Sequence, residues 1–192
     1  MATALATPVT LQRRLFTVAE YARMVTAGIL SEDDRVELID GEVCVMSPIG
    51  PLHAAMVDRL NRLLVLRCAQ AAIVRVQSSI QLNDYTEPQP DFAVLQPRDD
   101  FYAHAHPLAT DVLLVIEVAD TSITYDREEK LPRYALSGIP EVWLIDLNQQ
   151  VVEQYTQPRN GKYRTKLTLE RGDTLSVQSV SGLRLAVDDL FA

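Results

Sequence analysis

The stretch Val112-Leu-Leu-Val-Ile-Glu-Val118 is an apolar run of strand length, rich in β-branched residues and broken by a single acid. Such a run reads as a strand covered on both faces, and it leaves Glu117 near its end. A second run, Asp91-Phe-Ala-Val-Leu95, opens directly after Pro90. Proline suits the start of a strand because it donates no ladder bond. Neighbouring strands lie about 4.8 Å apart. If these two pair, both carboxylates reach one divalent ion, at roughly 2.0–2.1 Å for magnesium. That arrangement points to phosphodiester hydrolysis. The plain alternatives are that Asp91 caps a turn and that Glu117 pairs with a core arginine.

Phosphodiester hydrolysis also calls for a positive charge near the phosphorus, which many nucleases supply from a lysine in an Asp…Glu-x-Lys pattern. Side chains alternate along a strand, so a lysine two residues after Glu117 would share its face, but position 119 is Ala119. Lys130 lies beyond the turn-like stretch 120–126, on a segment that reads as a helix able to return an ammonium to the same pocket. An interior proline costs a helix roughly 3 kcal/mol. Pro132 therefore places the helix start near Leu131, with Lys130 just before it. The structural alternative is a plain i,i+4 ion pair between Asp126 and Lys130.

Outward from this centre, Thr17-Val-Ala-Glu20 is a capping-box pattern, and a first helix is expected over about Val18–Ala27, stopping at Gly28. Asp40-Gly41 between Arg35–Ile39 and Glu42–Met46 signals a hairpin. In its first arm Glu37 shares a face with Ile39, as either a half-buried ligand or an exposed strand acid. Residues His53 to Gln70 carry Met56, Val57, Leu60, Leu63, Leu64 and Leu66 at helical spacing, interleaved with Arg59, Arg62 and Arg67, which read as a solvated face or a phosphate-facing one. His53, near the start of this helix, is either structural or orients a phosphate or water. Ile73 to Leu82 reads as a strand or a bent pair of strands and carries Gln77; 83–90 is a loop holding Glu87. His104-Ala-His106 lacks a third ligand at zinc-like spacing. Glu141-Val-Trp-Leu-Ile-Asp146 reads as a buried strand with Trp143 in the core. From Val151 the pattern becomes antiparallel ribbons with a second hairpin signal at Asn160-Gly161. There Tyr163, Thr165, Leu167 and Leu169 share one face, and Lys162, Arg164 and Lys166 the other, as edge protection or a nucleic-acid stripe. This order predicts an α/β (α+β) fold: a mixed central sheet flanked by helices, with antiparallel C-terminal hairpins.

The chain of 192 residues is long enough for one domain spanning 1–192, with 1–14 expected as a flexible or extended arm. Its net charge of −8 is the wrong sign for coating nucleic acid through bulk charge, so any such contact must be local and metal-assisted. Cys44 and Cys68 form no CxxC pair and read as reduced, buried thiols. Neither a secretory signal nor a membrane-spanning run is evident, which makes the cytoplasm the expected location.

Taken in order, Val36-Glu37-Leu-Ile-Asp-Gly-Glu42, Ser47-Pro-Ile-Gly-Pro-Leu-His53, Glu87-Pro-Gln-Pro-Asp91, Ile116-Glu-Val118, Tyr125-Asp-Arg-Glu-Glu-Lys130 and Gly138-Ile-Pro-Glu-Val-Trp-Leu-Ile-Asp146 give most of the chain a family likeness. It resembles the Uma2-type (DUF820) endonucleases of the PD-(D/E)xK nuclease superfamily. The resemblance implies a restriction-endonuclease-like fold in which Asp91 and Glu117 hold the metal, Lys130 is the displaced lysine and Glu37 is a further acid. His53, Gln77 and Asp126 are expected beside them in supporting roles. Magnesium is the expected ion with manganese as its substitute, DNA the expected partner, and a homodimer one expected assembly. Two other readings stand beside the metal-dependent endonuclease. One is a catalytically weak or inactive nuclease-fold binding protein, which Ala119 and the acidic surface favour; the other is a hydrolase of phosphate-containing small molecules.

Overall fold

The computed structural model describes residues 12–180 and 182–191. Most of the expected N-terminal arm, 1–11, lies outside the described residues; Gln12, Arg13 and Arg14 are exposed and outside regular secondary structure. Helix α1 (Val18–Thr26) starts at the Thr17 capping box, with the Thr17 hydroxyl accepting from the Glu20 N–H and Glu20 accepting from the Thr17 N–H. Strands β1 (Val36–Ile39) and β2 (Glu42–Val45) form the expected hairpin. Its turn residues Asp40 and Gly41 both have positive φ, at 48° and 80°. Gly41 is also approached closely: a Cβ there would lie 2.6 Å from Cβ of Leu15, where the Phe16 N–H donates to the Gly41 carbonyl.

A six-stranded sheet runs in the order β3 (Ile73–Val76), β4 (Phe92–Leu95), β5 (Val112–Ala119), β6 (Glu141–Asp146), β7 (Val151–Arg159) and β8 (Lys162–Leu169). Every neighbouring pair is antiparallel except β5 and β6. A parallel pair needs a crossover, usually helical. Here it is α3 (Ile123–Tyr125), a π-helical turn (Asp126–Lys130) and α4 (Leu131–Leu136). Lys130 is thereby returned over the strand that carries Glu117.

Both sheet faces are covered, which explains why β4, β5 and β6 read as almost unbroken apolar runs. On one face Phe92, Val94, Ile116, Trp143 and Ile145 pack against Met56, Val57, Leu60 and Leu64 of α2 (Pro51–Cys68). The C-terminal pair β9 (Thr174–Ser176) and β10 (Arg184–Ala186), with α5 (Val187–Leu190), closes the same core. On the other face Ala93, Val115, Val142 and Leu144 meet Leu131 and Tyr134 of the crossover.

Several expectations change. The helix of the crossover begins at Ile123 rather than Leu131, so Lys130 lies inside helical backbone. The Leu131 N–H donates to the Asp126 carbonyl, a wide i→i−5 closure. That widening sits where an ordinary turn would press the Pro132 ring onto the preceding carbonyl. Of the strand or bent pair of strands expected over 73–82, only Ile73–Val76 is a regular strand; the chain bends at Gln77, which takes φ 42°. Leu66 and Leu167 are exposed despite their apolar pattern, and Cys44 is half-buried whereas Cys68 is buried. Arg59 and Arg67 donate to the carbonyls of Leu190 and Arg184 and so tie α2 to the C-terminal segment. Trp143 is fully buried and β8, with its lysines, is a sheet edge.

Candidate active site

The register Phe92↔Ile116 places Asp91, one residue before β4, beside Glu117 of β5. The Asp91 N–H donates to Glu117 Oε2 at 3.4 Å, and the Val118 N–H donates to Asp91 Oδ2 at 2.8 Å. Both acids line a cavity of about 530 Å³ between the β1–β2 hairpin, the start of α2 and the crossover. Lys130 Nζ lies 3.2 Å from Glu117 Oε1 and 3.3 Å from Glu37 Oε2. All three side chains are buried. Four residues distant in sequence, Glu37, Asp91, Glu117 and Lys130, therefore meet in one place.

Each acid is held by named donors. Glu37 accepts the Gln89 N–H at 3.0 Å and the Tyr125 hydroxyl at 3.0 Å. Glu117 Oε1 accepts the Tyr134 hydroxyl at 2.6 Å. Asp91 accepts from Gln77 Nε2 at 3.3 Å, and His53 Nε2 lies 3.1 Å from its carboxylate. Asp126 lines the same cavity and accepts the Ser122 hydroxyl at 2.6 Å. Lys130 thus pairs with Glu37 and Glu117 instead of making the simple i,i+4 pair with Asp126. Glu87 is buried, and it does not line the cavity. His104 and His106 are exposed and stand apart from it.

The electrostatics follow from burial. Removal from water pushes the Glu117 carboxyl up to about 8; the Lys130 charge opposes this, and Asp126 and Asp91 reinforce it. Burial alone would lower Lys130, but Glu117, Glu37, Asp126 and Asp91 surround the ammonium and hold it above its ordinary range. The hydrogen bond to Asp91 raises His53 against the opposing effect of burial. Burial also raises Glu87 to about 7.

These shifts have a signed consequence. A carboxyl whose pKa is higher folded than unfolded binds its proton more tightly in the native state. Its contribution to stability is complete below the unfolded value of 4.5 and is lost as pH rises through the folded value, about 8 for Glu117 and about 7 for Glu87. Without divalent ions, the melting temperature of wild type should therefore fall from pH 5 to pH 8 more steeply than that of Glu87→Gln. Parallel melting curves for the two proteins would refute this.

The two tyrosines carry only a weak signal in the sequence. Tyr134 follows Lys130 by four residues, the spacing that puts two side chains on one helix face. Tyr125 heads the segment that ends in Lys130. Both signals were present, but nothing in the spacing tells a tyrosine that donates to a buried carboxylate from one that fills the core.

No curated protein matches the chain. The crystal structure of a "putative nuclease belonging to DUF820" from Anabaena variabilis superposes with a TM-score of 0.71 at 17% sequence identity, covering 92% of this chain and 97% of that one. At that identity the likeness speaks for the fold. The sequence profile of the Uma2 family, described as "Putative restriction endonuclease", matches residues 18–188. That span takes in the hairpin, both acid-bearing strands and the crossover lysine, and the chain belongs to the Uma2 family.

Proposed function

We propose that this protein is a divalent-metal-dependent endonuclease that hydrolyses phosphodiester bonds in DNA, with magnesium as its ion and manganese as a substitute. One observation carries the reading: Asp91 and Glu117 lie side by side in a single cavity, with the Lys130 ammonium 3.2 Å from Glu117. The donor set fits a hard cation. The cavity wall holds the carboxylates of Glu37, Asp91, Glu117, Asp120 and Asp126 against the cations of Arg35 and Lys130, leaving an excess of negative charge. Among the described residues no trio of His, Cys, Asp or Glu is spaced to cage an ion. Magnesium does not require one, since it is commonly held by one or two carboxylates together with waters and substrate phosphate.

Such an ion, held by Asp91 and Glu117, would acidify a bound water and polarise a phosphate oxygen. The protein's own groups supply the rest. Lys130, whose side chain is buried, sets a positive charge where the transition state becomes more anionic. Tyr134 and Tyr125 fix the carboxylates of Glu117 and Glu37 by donating to them. His53 and Gln77 fix Asp91 from the other side.

Supercoiled plasmid should be nicked in magnesium or manganese and left intact in chelator. Intact plasmid with full manganese binding would support a binding protein instead. Turnover confined to small phosphodiesters would support the small-molecule hydrolase.

A further inference from the structure

The proposed site has an electrostatic gap. A phosphodiester brings negative charge to a cavity already rich in carboxylates, and Lys130 is engaged by Glu37 and Glu117. Besides Lys130, the other permanently charged cation in the cavity wall is Arg35, whose side chain makes no ion pair among the described residues. Its backbone is firmly held. The Arg35 carbonyl accepts the Met46 N–H at 2.9 Å, and the carbonyl of the next residue, Val36, accepts the Tyr21 hydroxyl at 2.9 Å. Arg35 itself is left-handed, with φ 42° and ψ 64°, a conformation that β-carbon-bearing residues rarely adopt. Two anchors thus fix the backbone from which this guanidinium, unpaired among the described residues, reaches the cavity wall, two residues before Glu37. A planar guanidinium matches phosphate oxygens with two parallel donors, which an ammonium cannot do.

We propose that Arg35 binds a backbone phosphate of the nucleic acid at the mouth of the cavity and holds the strand over the Asp91–Glu117 pair. This rests on the nuclease reading above, and it makes Arg35 a substrate-binding residue that the family likeness did not point to. Because the contact is to phosphate, its contribution should be the same for any base sequence.

The test is duplex binding by wild type, Arg35→Ala, Arg35→Gly and Arg35→Lys, measured by fluorescence anisotropy across a salt series. Two unrelated sequences are used, with calcium in place of magnesium to limit turnover. Glycine accepts the left-handed backbone without strain, so Arg35→Gly removes the charge while keeping the local fold. Arg35→Ala and Arg35→Gly should both bind about ten- to a hundredfold more weakly on both sequences. Their slope of log affinity against log salt should shrink by about 0.9, the loss of one phosphate contact. Arg35→Lys should retain most of the slope. Manganese affinity measured by calorimetry should be no weaker in either charge-removing variant. Wild-type affinity and slope in both Arg35→Ala and Arg35→Gly would overturn the assignment and leave the nuclease reading standing. A wild type that binds neither duplex would overturn both.

Discussion

Glu117→Gln and Asp91→Asn should each abolish manganese binding and plasmid nicking while leaving the fold intact. The two acids supply the adjacent carboxylates of the cavity, so removing either charge halves the donor set. Losing a partner that only supports a metal ligand typically costs about 10–100-fold in affinity. Losing a ligand itself should exceed the top of that range, and nicking should fall by at least about a thousandfold. The amides are chosen for their shape. The carbonyl oxygen in Glu117→Gln can still accept the Tyr134 hydroxyl, and in Asp91→Asn it can still accept the Val118 N–H. Glu117→Gln removes a carboxyl that burial disfavours in its charged form, but it also removes one of the two buried partners of the Lys130 ammonium, which keeps Glu37. Calorimetry decides the matter: wild-type manganese affinity in both variants would remove this pair as the metal site.

What the sequence made legible was the sheet. The runs 91–95 and 112–118 were readable as strands because both faces are covered and nearly every side chain in them is apolar, leaving Glu117 conspicuous. The Asp40-Gly41 and Asn160-Gly161 turns were readable because positive φ restricts which residues can occupy them. The crossover was harder. Pro132 suggested a boundary at Leu131, whereas a π-helical turn lets the helix run on from Ile123. A local rule that proline ends helices cannot foresee a wider turn that accommodates the ring. The site was legible in its acids and lysine but not in its tyrosines, whose roles depend on which carboxylate the fold brings within reach. Arg35 was hidden for a related reason: an arginine in a left-handed turn has no periodic signature, and its meaning depends on the cavity it faces.

Lys130→Ala should separate catalysis from metal binding. In the wild type the ammonium sits between Glu37 and Glu117, so its removal leaves two buried carboxylates without their cation. Breaking a buried pair from one side typically costs about 3–5 kcal/mol. Here the cost should be greater at pH 8 than at pH 6, since the Glu117 carboxyl, pushed up to about 8 by burial, can take up a proton at the lower pH. Lys130→Met, which keeps much of the packing of the stem, controls for that loss. Manganese affinity should hold or rise in both variants, because the ammonium no longer competes for Glu117 Oε1. Single-turnover nicking at saturating manganese should nevertheless fall about a hundred- to a thousandfold, as expected for a charge that acts on the transition state. Adding Ala119→Lys to Lys130→Ala should recover part of the rate, because position 119 shares the strand face of Glu117. The recovery should be partial, since Ala119 is fully buried and a longer side chain overpacks its surroundings. Full nicking activity in Lys130→Met would assign the lysine to holding the two carboxylates in place, and the charge at the transition state would then have to come from another group in the cavity.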